Sequence, residues 1–254
     1  MSNDILFIGD PHGEWPTIRE RVLRHHPSAV VLLGDMDLER PLEVEMAKIL
    51  AAGIEVFFIP GNHDGDRDHW HDYLFESALA DRNLNARVVE IAGLRVAGLG
   101  GVFRGRIWHP LDQAPQPRWR RRGDYLATLP KSERWRGGVP RAHRVSVWFE
   151  DYEALWDQRA DILVTHEAPT SCVREGRQLG FDVLDDLAAA MGARLIHGHH
   201  HHDYDAALSN GVLVAGVGIA GVVNQHGRRL DPGLRRDERT PLIERIESPR
   251  GFKP

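Results

Sequence analysis

Five apolar runs in this 254-residue chain each lead into side chains that can hold a cation. Asp10 and His12 follow Asp4–Gly9, and Asp35 follows Ala29–Leu33 and Gly34. Asn62, His63 and Asp64 follow Ile54–Ile59, and His166 follows Asp161–Val164. His199 and His201 follow Arg194–Ile196. Asp10 and His12 stand two apart, as do His199 and His201, so in extended backbone each pair projects to one side and can close on one ion. Carboxylate, amide and imidazole donors with no thiolate suit Mn, Fe or Zn better than a sulfur-ligated ion. One Asp-x-His or Gly-Asp is common in turns, and Asn-His-Asp can cap a helix. Five strand exits that all choose ligand types point to a metal centre. Gly34, Gly61 and Gly198 are expected to let the chain turn sharply where the ligands begin.

The elements behind these exits read as an α/β fold. Strands are expected at the apolar runs, with helices at Thr17–His26, Pro41–Ala52, Asp66–Ala80 and Phe181–Met191. Such strand–helix alternation gives parallel pairing, and sites form at the carboxyl ends of parallel strands. Arg87–Ile91 and Leu94–Ala97 read as a hairpin, which makes the sheet mixed. Ala206–Ser209 and Val212–Ala215 flank Asn210-Gly211, the pair that favours a type I′ turn. The chain thus reads as a single domain over 1–229 with a polar C-terminal tail over 230–254.

Composition excludes several classes. With 42% hydrophobic and 27% charged residues the chain can build a core. The longest nearly apolar run, Val212–Val223, is shorter than the ~18–20 residues of a membrane span and is broken by glycines. Met1-Ser-Asn-Asp enters a strand without signal-peptide features, and Cys172 is the only cysteine, so a cytoplasmic protein is expected. Net charge is −5, but 104–144 holds 11 basic against 3 acidic residues. This Arg-, Trp- and Pro-rich stretch reads as an insertion or lid. Arg120, Arg121 and Arg122, with Trp108, Trp119 and Trp135 near them, are the expected substrate contacts, by stacking and phosphate binding. The overall negative charge disfavours nonspecific nucleic-acid binding.

Taken in order, Asp10-x-His12, Gly34-Asp35, Gly61-Asn62-His63-Asp64, His166 and Gly198-His199-x-His201 resemble the calcineurin-like metallophosphoesterases, over about residues 4–225 without the insertion. The resemblance implies a β-sandwich of mixed sheets flanked by helices in αββα layers, with two divalent metal ions at the strand ends. It implies that Asp10, His12, Asp35 and His201 hold one ion and Asp35, Asn62, His166 and His199 the other, with Asp35 bridging. Mn is the ion the resemblance favours, with Fe, Zn or Mg as alternatives. His63 would stay free of metal and protonate the leaving group or bind phosphate.

Two divalent ions less two carboxylates and a bridging hydroxide leave the site about one positive charge, which suits an anionic phosphate ester. The implied reaction is hydrolysis of a phosphomonoester or phosphodiester, of a small molecule or nucleotide, by in-line attack of the metal-bridging hydroxide. A nuclease with the same chemistry and a non-catalytic binding module on a degenerate fold are the alternatives. The family's GDxxDR pattern would put Asp and Arg at 38 and 39, where this chain has Leu38 and Glu39; Asp37 and Arg40 are displaced by one. That shift and the replacement of GNHE by GNHD disfavour a protein Ser/Thr phosphatase. His200 is expected to point away from the His199/His201 pair, and His197 to be buried and hydrogen-bonded.

Overall fold

Residues 3–111 and 116–239 are described by a computed structural model. Two mixed sheets face each other. The first has the order β13 (Arg229–Asp231), β12 (Val222–Asn224), β1 (Ile5–Ile8), β2 (Ala29–Leu32), β3 (Glu55–Phe58). The second has the order β10 (Tyr204–Ala207), β11 (Leu213–Gly216), β9 (Arg194–His197), β6 (Ile162–Thr165), β5 (Leu94–Leu99), β4 (Arg87–Ile91). A two-stranded hairpin, β7 (Val173–Arg174) with β8 (Arg177–Gln178), stands apart. β1, β2 and β3 run parallel, as do β5, β6, β9 and β11, so the exits of β1–β3 share one sheet edge and those of β6 and β9 share another.

Alternation within the apolar runs explains the layers. Ile5, Phe7, Val31 and Phe57 pack against Ile162, Val164 and Ile196 between the sheets. Leu6, Ile8, Val30 and Leu32 face outward onto α1 (Trp15–His25), α2 (Leu42–Glu45) and α3 (Ala47–Ala51). Leu163 and Leu195 face the other way, onto α7 (Phe149–Trp156) and α8 (Asp182–Met191). A strand buried on both faces has no reason to alternate polar with apolar, which is why these strands read as continuous runs. In α1 the buried Trp15, Ile18 and Val22 follow helical spacing, and Pro16 occupies its first turn. The αββα sandwich of mixed sheets is the fold that the motifs implied. No helix among the described residues is long and apolar enough to cross a membrane.

Several local expectations are corrected. The helix expected over Pro41–Ala52 is broken at Met46, which leaves helical backbone (ψ 2°). The helix expected over Asp66–Ala80 is α4 (Asp68–Phe75), followed by a 3₁₀ turn at Ala80–Arg82. Asn210-Gly211 does not make a two-residue turn. Only Gly211 of the pair has positive φ, and Leu208 N–H donates to Val212 O to close a wider loop. The polar tail expected from residue 230 begins later. Leu230 lies in β13, Leu234 packs on the outer core, and Leu234 N–H donates to Ile219 O. The tail from 240 to 254 lies outside the described residues.

The insertion at 104–144 packs onto the main core. Ile107, Trp108, Tyr125, Leu129 and Val139 join the cluster over the second sheet. Its helices are α5 (Arg122–Thr128) and α6 (Arg141–Arg144). Arginines tie it down. Arg122 pairs with Glu150 (2.9 Å) and Asp151, Arg136 with Asp72 (2.5 Å), and Arg141 with Asp68. Arg120 pairs with Glu153 (2.8 Å) and lies 4.0 Å over Phe149.

Asp151 is buried and Glu153 is exposed, so the two pairs differ in worth. Arg122→Ala strips a buried carboxylate of its main partner and should cost about 1–3 kcal/mol. Arg120→Ala should cost less than about 1 kcal/mol, as exposed pairs do. Urea unfolding midpoints of the two variants test the difference.

Candidate metal centre

The site residues leave their strands in unusual backbone. Asp10 (φ 30°), His12 (40°), Asp35 (57°), His199 (70°) and His201 (53°) are all left-handed. The same-side projection expected from extended pairs is therefore not how they converge. Left-handed backbone at a non-glycine residue costs free energy and persists where surroundings over-determine it. Here the surroundings are hydrogen bonds between exits. His12 N–H donates to Asp35 O (2.8 Å) and Gly13 N–H to Met36 O (3.1 Å). Of the three glycines expected to turn the chain, only Gly34 has positive φ (97°). Gly61 and Gly198 supply space instead. A Cβ on Gly61 would stand 2.2 Å from Asp35 Oδ1, and one on Gly198 2.6 Å from Asp10 Oδ1.

Asp64 holds this arrangement from below. Its buried carboxylate accepts Gly61 N–H (2.7 Å), Met36 N–H (2.8 Å) and Asp35 N–H (3.1 Å). Three amides from two strand exits are thereby fixed to one side chain.

Asp35 lies at the centre. Its Oδ1 accepts His63 N–H (2.8 Å), and its Oδ2 stands 3.7 Å from His12 Nε2 and 3.4 Å from His166 Nε2. Two groups of potential ligand atoms meet there, His12–Asp35–His201 and Asp35–His166–His199, each spanning no more than 4.8 Å. The outer nitrogens of two imidazoles are committed elsewhere. His12 Nδ1 pairs with Asp37 Oδ2 (3.2 Å), and His166 Nδ1 donates to Leu33 O (2.7 Å). Both Nε2 lone pairs are left facing the site, which is the way neighbouring groups set a metal-binding tautomer. His12 Nε2 and His201 Nε2 are 3.0 Å apart, and Asn62 Oδ1 is 3.1 Å from His166 Nε2. Asp10 falls outside both triads, but its Oδ1 accepts His199 N–H (3.0 Å), while its buried Oδ2 and His199 Nδ1 have no hydrogen-bond partner among the described residues. Orphaned buried acceptors at these two positions fit two bound cations.

The electrostatics agree. Burial raises the Asp35 carboxyl, but His166 and His12 outweigh it and hold it below the usual carboxylate range. Burial pulls His166 down, yet Asp35 and Asp10 push it up to about 10. A proton and a divalent ion compete for the same lone pair, so carboxylates that favour one favour the other. Burial and the neighbouring imidazoles pull His199 down to about 2. Burial and His12 likewise pull His201 down to about 4. Both are neutral at neutral pH, as ligation requires.

His63 sits beside the triads, its ring 5.7 Å from that of His12. Its Nδ1 pairs with Asp66 Oδ2 at 2.6 Å. Asp66 was not singled out in the sequence, although its spacing three residues beyond His63 suits one turn. Glu167, beside His166, was also missed. Its Oε1 accepts Phe103 N–H (3.1 Å), its Oε2 lies 3.8 Å from His199 Nε2, and burial pushes its carboxyl up to about 7. His200 does not turn wholly away: it forms a further potential ligand group with Glu167 and His199. His197 is buried between Gly198 O (2.9 Å) and Tyr204 Oη (2.7 Å). The displaced residues of the GDxxDR pattern are occupied, Asp37 by His12 and Arg40 by Glu45 (3.0 Å).

Arg120 and Arg122, expected with Arg121 as substrate contacts, are engaged elsewhere. Arg120 and Arg122 are drawn to the acidic side chains of α7, and Arg121 is exposed ahead of α5. The insertion reaches the site through Arg141, whose guanidinium donates to Gly65 O (2.8 Å) and Asp66 O (2.6 Å) in the loop that carries His63. Seventy-six residues separate Arg141 from Gly65, so no local pattern announces that contact.

The chain is similar to several known proteins. It is 38% identical over 227 residues to an uncharacterized protein of Haemophilus influenzae, covering 89% of this chain and 96% of that one. Among solved structures, TT1561 of Thermus thermophilus superposes with a TM-score of 0.55 at 14% identity, over 92% of this chain and 100% of that one. A dimetal phosphatase from Danio rerio superposes with a TM-score of 0.52 at 15% identity, over 86% and 91%. These two likenesses establish the fold. The sequence profile of the calcineurin-like phosphoesterases matches residues 4–203, most of the chain, and the protein belongs to that family.

Proposed function

We propose that this metallophosphoesterase hydrolyses a phosphomonoester or phosphodiester of a small molecule or nucleotide at two divalent ions. The observation that carries the reading is Asp35 Oδ2, which faces both ligand triads at once. Asp10, His12, Asp35 and His201 would hold one ion, and Asp35, Asn62, His166 and His199 the other. The likeness to a dimetal phosphatase supports a paired centre. The nitrogen–oxygen donor set suits Mn, Fe, Zn or Mg, and Mn is the ion proposed. The one cysteine, Cys172, is free, which supports a cytoplasmic location.

Ions at these residues supply Lewis-acid polarisation of the phosphate and acidification of water. The chain supplies the rest. His63 Nδ1 is engaged by Asp66, so Nε2 is the nitrogen left for the substrate. With Asp66 balancing the imidazolium, His63 Nε2–H gives its proton to the leaving oxygen, a role worth about 10²–10⁴-fold. A proton donor held this way argues against a non-catalytic module. The pairing of Arg120 and Arg122 within the fold argues against a nucleic-acid grip by those side chains, so the nuclease reading is not favoured.

Asp35→Asn should lower occupancy of both ions and nearly abolish hydrolysis. Elemental analysis finding two bound ions per chain together with full turnover would refute the bridging role. His199→Ala should lose one ion, whereas His200→Ala should keep both.

His63→Asn should keep its metal and lose most activity on alkyl esters. It should lose much less on nitrophenyl esters, whose leaving groups depart without a proton. Asp66→Asn should show the same contrast, more weakly. Equal losses on both esters would reduce His63 to a phosphate-binding residue, because a lost binding contact affects both substrates alike.

A further inference from the structure

Between α4 and the insertion lies a cleft of about 490 Å³, within the size range of small-molecule sites. None of the proposed metal ligands lines it. Phe75, Leu126 and Val139 give it apolar walls, Arg122 and Arg144 are its two guanidinium groups, and His71 and the carboxylate of Glu76 complete its polar lining. The two guanidinium groups differ in one respect. Arg122 is neutralised by Glu150 and Asp151. Arg144 has no ion pair among the described residues, and its buried Nε has no hydrogen-bond partner.

The surroundings of Arg144 make that state costly. Its guanidinium lies 4.8 Å over the Trp135 ring, and Arg136 lies on the same indole at 4.3 Å. Arg136 is itself paired with Asp72 and Glu76, so the carboxylates nearby are spent on it. A half-buried cation beside a second cation, with an unmet donor, is stabilised by an anion. Gly138 is shaped to admit the guanidinium, since a Cβ there would stand 2.5 Å from its terminal nitrogen.

We infer that this cleft is a second binding site, for a small organic anion whose phosphate or carboxylate group pairs with Arg144 while a ring-sized apolar body lies against Phe75, Leu126 and Val139. The cleft shares α6 with the metal centre's support: Arg144 faces the cleft and Arg141 holds the His63 loop.

Phenylphosphonate tests the site by calorimetric titration of the full-length, metal-loaded protein, with methylphosphonate as the probe lacking a ring. The wild type should bind phenylphosphonate at two independent sites. Arg144→Gln should weaken one of them about tenfold or more and leave the other, with hydrolysis of a small chromogenic ester unchanged. Gly138→Ala, which displaces the guanidinium without removing its charge, should weaken the same site. Asp35→Asn should remove the other site alone. Wild-type isotherms in both cleft variants, loss of all binding in Asp35→Asn, or equal affinity of that site for methylphosphonate would each overturn the inference.

Discussion

The geometry of the centre depends on the carboxylate of Asp64. Among the described residues it makes no hydrogen bond to a proposed ligand atom, yet it accepts the amides of Gly61, Asp35 and Met36 and so fixes two strand exits relative to each other. Burial and the charge of Asp35 push this carboxyl up to about 7, and its N–H donors oppose the shift. The left-handed backbone of Asp35, and the approach of Gly61 that leaves no space for a Cβ, are tolerated because this clamp holds them. From there the order propagates. Asp35 accepts His63 N–H, His63 engages Asp66, and Asp35 O receives His12 N–H. His12, Asp35 and His63 are thus positioned by one set of backbone contacts.

Much of this was legible from the sequence, and for a physical reason. Strands such as Ile5–Ile8 and Ile162–Thr165 are buried on both faces, so they appear as unbroken apolar runs whose ends are easy to find. Parallel pairing then places the first polar residues after each run at one edge. Asp66, one turn beyond His63, and Glu167, next to His166, lay close at hand but carried no signal apart from ordinary acidic loop residues. Arg141 and the pairing of Arg122 with Asp151 were invisible, because a contact between distant segments leaves no periodicity. Arg120 and Arg122 misled because charge in a sequence says nothing of which carboxylate will neutralise it. Gly61 and Gly198 were located correctly and explained wrongly: both make room for a carboxylate, and neither turns the chain by positive φ.

The insertion is joined to the sandwich by contacts of two kinds. Its apolar side chains extend the core above the second sheet, and its arginines reach the acidic side chains of α4 and α7. Arg141 adds two carbonyls of the His63 loop to that list. The first sheet, which presents Asp10, Asp35 and Asn62, has its own core on its outer face, formed with α1–α3.

That division gives the molecule two thresholds for local opening. Ligands at the ends of the buried strands belong to the part of the fold that opens last, while residues 131–144, with short helical turns and exposed ion pairs, belong to the part that opens first. When that segment releases Gly65 and Asp66, the loop that carries His63 loses its alignment while the residues at the strand ends keep theirs. On the proposed mechanism such a partly open state would keep its ions yet be slow towards poor leaving groups, and a relative could alter its ester preference by changing the insertion without touching a ligand.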